Sequence, residues 1–408
     1  MEKQLRKNLF YNTFGSLLFY ICQASMNLLV TAIAGIAANG LLATAMTISN
    51  VSLSMAAFGM RTFQVSDLDG KYTDRTYLFS RYATLALAFW GCMSFAFANA
   101  YSSEQRWVIL LYTGYRLIES WSDVWHGYLQ RAERMDIVGI SFGARGLLTA
   151  LVMVVGLLLT HSLVPTLAVL LVLNALYVLL VDIPMARKVA DFTKRGGPSV
   201  AALLLECAPL AIYASLNTAI PSVPRYFCER ISGEVELSYF ANLFLPVMLL
   251  QVAVIYLFVP FITTFARLWN DRNRTSFYKG LGFLGIALLV VWGAGALGCA
   301  LLGRWGLSVL YPTTPEILNY TGLLQPLVLA TVLTIMATVL CNLLTIARCM
   351  AGLITSSIVG LGIALLVSPP LIDMYGIWGT AWSTIAGIAA QALCLLLFLF
   401  YECKQQFN

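Results

Sequence analysis

Apolar stretches of about 20 residues, the length that crosses a bilayer as a helix, recur from one end of this chain to the other. "LLTALVMVVGLLL" and "GIALLVSPPLI" are the interiors of two of them. One soluble core cannot bury so many such runs. The composition agrees: 60% of residues are hydrophobic, only 11% are charged and the mean hydropathy is +0.80, where a soluble domain carries about 25% charged residues. Outer-membrane barrel strands would read as weakly alternating segments of about ten residues, and that alternation is missing. The chain reads as an all-α polytopic membrane protein.

Spans are predicted at 9–33, 38–62, 78–100, 106–130, 137–160, 163–186, 201–225, 238–264, 278–302, 320–346, 350–371 and 376–401. The fourth contains "YRLIESWSDVWHGYLQRAERM", with Arg116, Glu119, Asp123 and His126. Hydropathy alone makes it a loop, but the positive-inside rule makes it a span. With the N-terminus and C-terminus cytoplasmic and the fourth span counted, most Lys and Arg fall inside. Among them are Lys3, Arg61, Lys71, Arg81, Arg131, Arg187, Arg195, Arg267 and Arg348, while Arg106, Arg225, Arg230 and Arg304 fall outside. Removing the fourth span would put "ARKVADFTKRGG" and "RLWNDRNR" on the wrong face. The net charge of +6 is therefore an orientation signal, and no nucleic-acid partner is expected. "MEKQLRKN" running into "LFYNTFGSLLFYICQ" is too long and too polar for a cleaved signal peptide.

The hydrophilic segment "ARKVADFTKRGGPS" divides the chain into six plus six helices, an N-lobe at 1–193 and a C-lobe at 194–408. Each half starts inside, so a repeat relating them would be parallel. "LQRAERMDIVGIS" aligns with "LTIARCMAGLITS", placing Met135 on Met350. The same register sets Arg116, Glu119 and Asp123 on Thr331, Thr334 and Thr338. A charged stripe in one half answers a threonine stripe in the other.

On a helix, Arg116, Glu119, Ser120, Asp123, Gly127 and Gln130 share an arc of about 100°, with His126 just off its edge. Intramembrane charges face a bundle interior or a hydrated cavity. Two readings follow. The stripe is a bracing network, Arg116 with Glu119 and Arg145 of the next helix with Asp123, or it lines a transport path. The seventh segment is polar and broken by Pro209, Pro221 and Pro224, and carries Glu206, Asn217 and Arg225. Arg225 near its external end is equally a snorkelling cation. Asn12, Gln23 and Asn27 make an amide-rich face on the first helix.

Soluble-enzyme signals fail. "DLD" at Asp67–Asp69 stands in a short loop with no nucleotide domain. "GLGFLG" follows no strand, and there is no phosphate loop for ATP. The nine cysteines are scattered without Cys-x-x-Cys spacing and read as small buried residues. No enzyme activity, metal or cofactor is expected.

Three stretches in order carry a family resemblance. "SDVWHGYLQRAERMDIVGISFGARGLL" resembles the fourth-to-fifth helix signature of Wzx-like polysaccharide flippases, in the MATE-related multidrug/oligosaccharidyl-lipid/polysaccharide (MOP) superfamily. "SLNTAIPSVPRYFCERISGEVELSYFANLFLP" resembles their seventh-to-eighth helix region, and "LYPTTPEILNYTGLLQPLVL" followed by "LCNLLTIAR" the approach to their tenth helix. The resemblance implies two pseudo-symmetric six-helix lobes around a central cavity. It implies export of undecaprenyl-diphosphate-linked oligosaccharide across a bacterial inner membrane by alternating access. Membrane lipids, glycosyltransferases and a glycan polymerase would be its partners. By this analogy Arg116, Arg145 and Arg225 bind the diphosphate, as arginine forks suit phosphate oxygens. Glu119, Asp123, Gln23, Asn27, Asn217, Thr331, Thr334 and Thr338 line the cavity. Glu119, Asp123 and Glu206 are the candidates for coupling to H+ or Na+. Twelve spans are fewer than the fourteen of the lipid II flippase branch. The first helix also lacks the aspartate that many cation-coupled drug exporters carry. A MATE-like drug or metabolite antiporter is the alternative, and a membrane polysaccharide polymerase or ligase is a more distant one.

Overall fold

A computed structural model describes the backbone of every residue except Met1, Leu68, Arg195 and Asn408. The side chains of Glu2, Lys3, Leu5, Leu249, Val252, Ala253, residues 255–260, Thr263 and Phe407 are also outside the described set. Of the sequence features used above, Arg195, the Lys3 side chain and the middle of the Asp67–Asp69 motif lie outside the described set.

Every predicted span has a helix. They are α1 (Glu2–Ala34), α2 (Ile36–Ala57, followed by the short helix Met60–Ser66), α3 (Asp74–Ala98), α4 (Ser103–Arg131), α5 (Met135–Thr160) and α6 (Leu163–Tyr177). α6 continues through a π-helical turn, Val178–Asp182, into Ile183–Arg187. Then come α7 (Val200–Ser232), α8 (Glu234–Asn270), α9 (Arg274–Leu310), α10 (Leu324–Ile346, preceded by a 3-10 segment Pro315–Leu323), α11 (Met350–Tyr375) and α12 (Ile377–Phe407). Among the described residues there are no strands, and nine helices are long and apolar enough to cross a membrane. The charged α4 is not among those nine, yet its 29 residues at ~1.5 Å each outreach a hydrocarbon core of about 30 Å. Leucines on helix exteriors are bare, Leu159 at 78% and Leu366 at 74% exposure, while Arg81 and Arg145 are fully buried. Such a surface, apolar outside and polar within, suits lipid as solvent.

The chain forms two compact units, Met1–Ser215 and Leu216–Asn408, which join within α7. The prolines expected to break α7 do not: helical structure runs unbroken from Val200 to Ser232 past Pro209, Pro221 and Pro224. Lipid-buried helices tolerate proline where neighbours satisfy the freed carbonyls.

In the first unit, α1 lies against α5 through glycines. A Cβ on Gly15 would fall 1.8 Å from the Gly139 carbonyl oxygen, so only glycine permits this approach. Beside this contact, Met26, Val30, Leu42, Val108, Ile109, Tyr112, Tyr115, Met153 and Leu167 close one apolar cluster. Phe58 and Gly59, with φ of 52° and 61°, take successive left-handed conformations and end α2. In the second unit, α11 and α12 meet at Gly360, where a Cβ would come within 2.9 Å of the Gly387 carbonyl oxygen. The buried face of α10 (Leu327, Val328, Ile335, Leu340, Leu344) supplies much of that unit's core.

Candidate functional site

The stripe on α4 is a real constellation, with partners the sequence did not indicate. Ser102 caps the helix by accepting the Gln105 N–H at 3.1 Å, and the stripe begins at Arg116, about four turns further on. Arg116 Nη1 donates to Glu119 Oε1 at 2.8 Å and lies 2.7 Å from Oε2; both side chains are 13% exposed. From α1, Gln23 Nε2 donates to the same Glu119 Oε1 at 2.8 Å. The expected Arg116–Glu119 pair and the amide of the first helix therefore meet.

Asp123 does not pair with Arg145. Its partners are Arg61, through Nη1 on Oδ1, and Arg81, whose Nη2 lies 3.3 Å from Oδ2. Arg61 also donates to Gln130 Oε1 from Nε at 3.1 Å and from Nη2 at 2.8 Å. These two arginines, read from the sequence as inside-facing orientation charges, are members of the stripe. The reason is the end of α2. Its left-handed turn leaves the Ala56 and Ala57 carbonyls without helical partners, and Arg81 Nη1 donates to them at 2.6 and 3.0 Å and to Ser120 Oγ at 2.9 Å. A guanidinium is the side chain that serves a helix C-terminus and a carboxylate at once. Three guanidinium groups thus face two carboxylates, and Arg61 and Asp123 keep 22% and 29% of their side chains exposed.

The other predicted residues disperse. Arg145 is fully buried on α5, with Nε donating to Asn174 Oδ1 of α6 at 3.4 Å. Glu206 joins a separate group at the start of α7, accepting from Lys71 Nζ at 2.9 and 2.8 Å and from the Tyr72 hydroxyl at 2.6 Å. That contact raises the titration of both Lys71 and Tyr72 above their ordinary values. Asp67, of the rejected Asp-x-Asp motif, accepts from the Lys71 and Tyr72 amides and the Tyr77 hydroxyl. Burial works against its charge, but those hydrogen bonds outweigh it, and its carboxyl titrates below the usual range. The motif is a loop anchor. The buried Asn27 Oδ1 has no hydrogen-bond partner among the described residues.

In the second unit, half-buried Arg225 stands over the rings of Phe240 and Phe244, at 5.7 and 4.7 Å. Among the described residues no carboxylate lies within ion-pair distance of it. Asn217 accepts from Gln391 Nε2 at 2.8 Å. Thr334 and Thr338 donate to their own helix, to the Ala330 and Thr334 carbonyls at 2.8 Å each. Thr331, 1% exposed, leaves its hydroxyl without a partner among the described residues.

Sequence reasoning missed Asp182 altogether. It lies at the end of the π-helical turn of α6, 1% exposed, and accepts from Ser122 Oγ at 2.8 Å and Ser141 Oγ at 2.7 Å; His126 Nε2 is 3.4 Å away. The available signal was an acid inside an otherwise apolar sixth span, two residues before Pro184.

No protein-family model and no curated protein sequence matches the chain. Solved structures do match over nearly its whole length. An inward-facing multidrug resistance MATE family transporter of the MOP superfamily superposes with a TM-score of 0.72 at 12% identity, covering 98% of each chain. A MOP superfamily transporter from Pyrococcus furiosus, reported as having a binding pocket of reverse polarity, gives 0.67 at 13%, over 100% of this chain and 96% of that one. The Vibrio cholerae MATE transporter VcmN in its bent form gives 0.62 at 13%, over 99% and 98%. The chain thus has the all-helical fold of MATE-like transporters of the MOP superfamily.

Proposed function

We propose that this chain is a membrane transporter that moves a polyprenyl-diphosphate-linked oligosaccharide across a bacterial plasma membrane by alternating access. The observation that carries the reading is Arg225. A guanidinium half-buried in a membrane helix is costly unless something anionic pays for it, and among the described residues Arg225 stands over the rings of Phe240 and Phe244 with no carboxylate at ion-pair distance. A ring face holds a cation weakly and leaves its N–H fork free, which suits a ligand bringing its own phosphate oxygens. The excess of guanidinium over carboxylate in the stripe, which Arg61 and Arg81 bring to Asp123 from outside α4, supports the same cargo charge. Arg116 is largely committed to Glu119, and Arg145 is fully buried, so Arg225 stands first among the three diphosphate candidates. Export before polymerisation would place glycosyltransferases upstream and a glycan polymerase downstream.

A second reading is a cation-coupled drug or metabolite antiporter. It is favoured by the similarity to multidrug MATE transporters and by Glu119 and Asp123 on α4. Purified protein in liposomes separates the two. With a labelled undecaprenyl-diphosphate glycan, wild type should move label between leaflets, and Arg225→Ala should slow it by about tenfold or more, the loss of one charge-assisted contact of roughly 1.5–3 kcal/mol. Transport of a cationic dye without glycan movement would establish the second reading instead.

A further inference from the structure

One buried cluster in the first unit belongs neither to the α4 stripe nor to the proposed diphosphate contact. His126 and Ser122 stand one turn apart on α4, beside the stripe, and their hydroxyl and Nε2 are 3.2 Å from each other. Both reach Asp182 Oδ2, while Ser141 of α5 holds Oδ1. His126 and Asp182 are each 1% exposed. A pair that only braced helices would leave no loose ends. Here His126 Nδ1 and both Nη atoms of Arg145 are buried with no hydrogen-bond partner among the described residues, and buried polar groups seldom go unsatisfied. Asp182 also closes a π-helical turn, a distortion frequent at functional sites.

The groups facing the pair come from three helices. α4 supplies Ser122 and, near enough to interact with His126 electrostatically, Asp123. α5 supplies Ser141, Arg145 and Phe142, whose ring lies edge-on to His126 at 5.1 Å. α6 supplies Asp182, Asn174 and Tyr177, with Arg145 acting on Asp182 and Tyr177 through its charge. Arginine beside the carboxylate disfavours a metal ion. A proton meets no such obstacle, because the neutral imidazole presents Nε2–H to Asp182 and leaves the Nδ1 lone pair basic.

We propose that His126 and Asp182 form a reversible proton-binding site through which a pH gradient acts on transport. The proposal rests on the transporter reading above and names its coupling ion. A proton from water adds to the Nδ1 lone pair and later leaves by the same bond. The imidazolium is stabilised by Asp182, but its new N–H points where no acceptor stands among the described residues. Protonation therefore favours an arrangement of α4, α5 and α6 that gives Nδ1 and the Arg145 Nη atoms an acceptor such as water. Deprotonation favours the arrangement described here. The site is thus linked to helix movement by hydrogen-bond satisfaction.

The chain has two histidines, so isotope-labelled histidine gives two side-chain NMR signals in the full-length protein, and His161→Asn assigns them. The His126 signal should change with pH, and Asp182→Asn should lower the midpoint of that change by about one unit or more, as loss of a close carboxylate does. Ser141→Ala, a milder change, should shift the midpoint less and serves if Asp182→Asn does not fold. A His126 signal that is invariant with pH, or a midpoint that ignores both substitutions, overturns the site. In liposomes, the ratio of glycan movement with and without a one-unit pH gradient should reach up to about tenfold for one coupled proton. His126→Gln should bring that ratio to near one; a ratio kept in full overturns the coupling. If wild type moves no glycan, the cargo reading fails while the titration still decides the proton site.

Discussion

α4 and α10 occupy matching places in the two halves of the sequence, and they satisfy their polar atoms in opposite ways. Arg116 and Asp123 on α4 find partners on other elements or in other turns: Glu119, Arg61, Arg81. Thr334 and Thr338 on α10 turn back onto carbonyls of their own helix. The next helices repeat the contrast. Ser141 on α5 donates across to Asp182, whereas Ser356, its counterpart on α11, donates to Gly352 and Leu353 of its own helix. A charge in a low-dielectric interior has to recruit an opposite charge from elsewhere. A hydroxyl can be satisfied within one turn. The first unit is therefore laced across helices by ionic contacts, and at these positions the hydroxyls of the second donate only within their own helices among the described residues.

The sharpest way to break this comparison is to remove Asp123. Asp123→Ala leaves the fully buried Arg81 without its carboxylate, and thermal or denaturant unfolding in detergent should show a loss of roughly 3–5 kcal/mol. The matching Thr338→Val should cost below about 0.5 kcal/mol, since its hydroxyl ties no second element. Equal losses would mean that the lacing does not exist. Next in size is the serine pair. Ser141→Ala removes a hydrogen bond to a buried carboxylate and should cost about 1.5–3 kcal/mol, while Ser356→Ala should be near neutral by the same assay.

The smallest effect is outside the membrane spans, in the loop that carries Asp67 and Lys71. Because the folded Asp67 titrates below its ordinary value, its contribution is full above the unfolded value of about 3.9 and is lost as pH falls through the lower folded one. For Lys71 the folded value is raised by Glu206. Its contribution is full below about 10.4 and is lost as pH rises through the higher folded value. Hydrogen exchange at the Lys71 and Tyr72 amides should accordingly show protection, relative to a pH-matched unfolded control, across the neutral range and its loss at both extremes. Protection unchanged in Asp67→Asn would remove Asp67 from this role.

Much of the fold was legible in the sequence. All twelve predicted spans are helices, including α4, whose charges hid it from hydropathy but not from the distribution of Lys and Arg in the other loops. The Arg116–Glu119 pair was legible too, because residues three apart on a helix are neighbours whatever surrounds them. Arg61 and Arg81 were read only as inside-facing orientation charges, and their pairing with Asp123 was not foreseen. Their role depends on where α2 stops, and that stop is a left-handed turn at Phe58 and Gly59 rather than any charge pattern. Proline marks on α7 promised breaks that its surroundings absorb. Asp182 passed unnoticed because its meaning lies in Ser122, His126 and Ser141, which are distant in the chain.

The sequence by itself determined that this chain is a bundle of membrane-length helices and which of them carry charge, because hydropathy and helical spacing act over one or two turns. Only the tertiary structure decided which charge answers which. An ion pair is set by where two helices cross, and that position follows from contacts such as Gly15 against Gly139 and from the turn that ends α2, which no local pattern around Asp123 or Asp182 records.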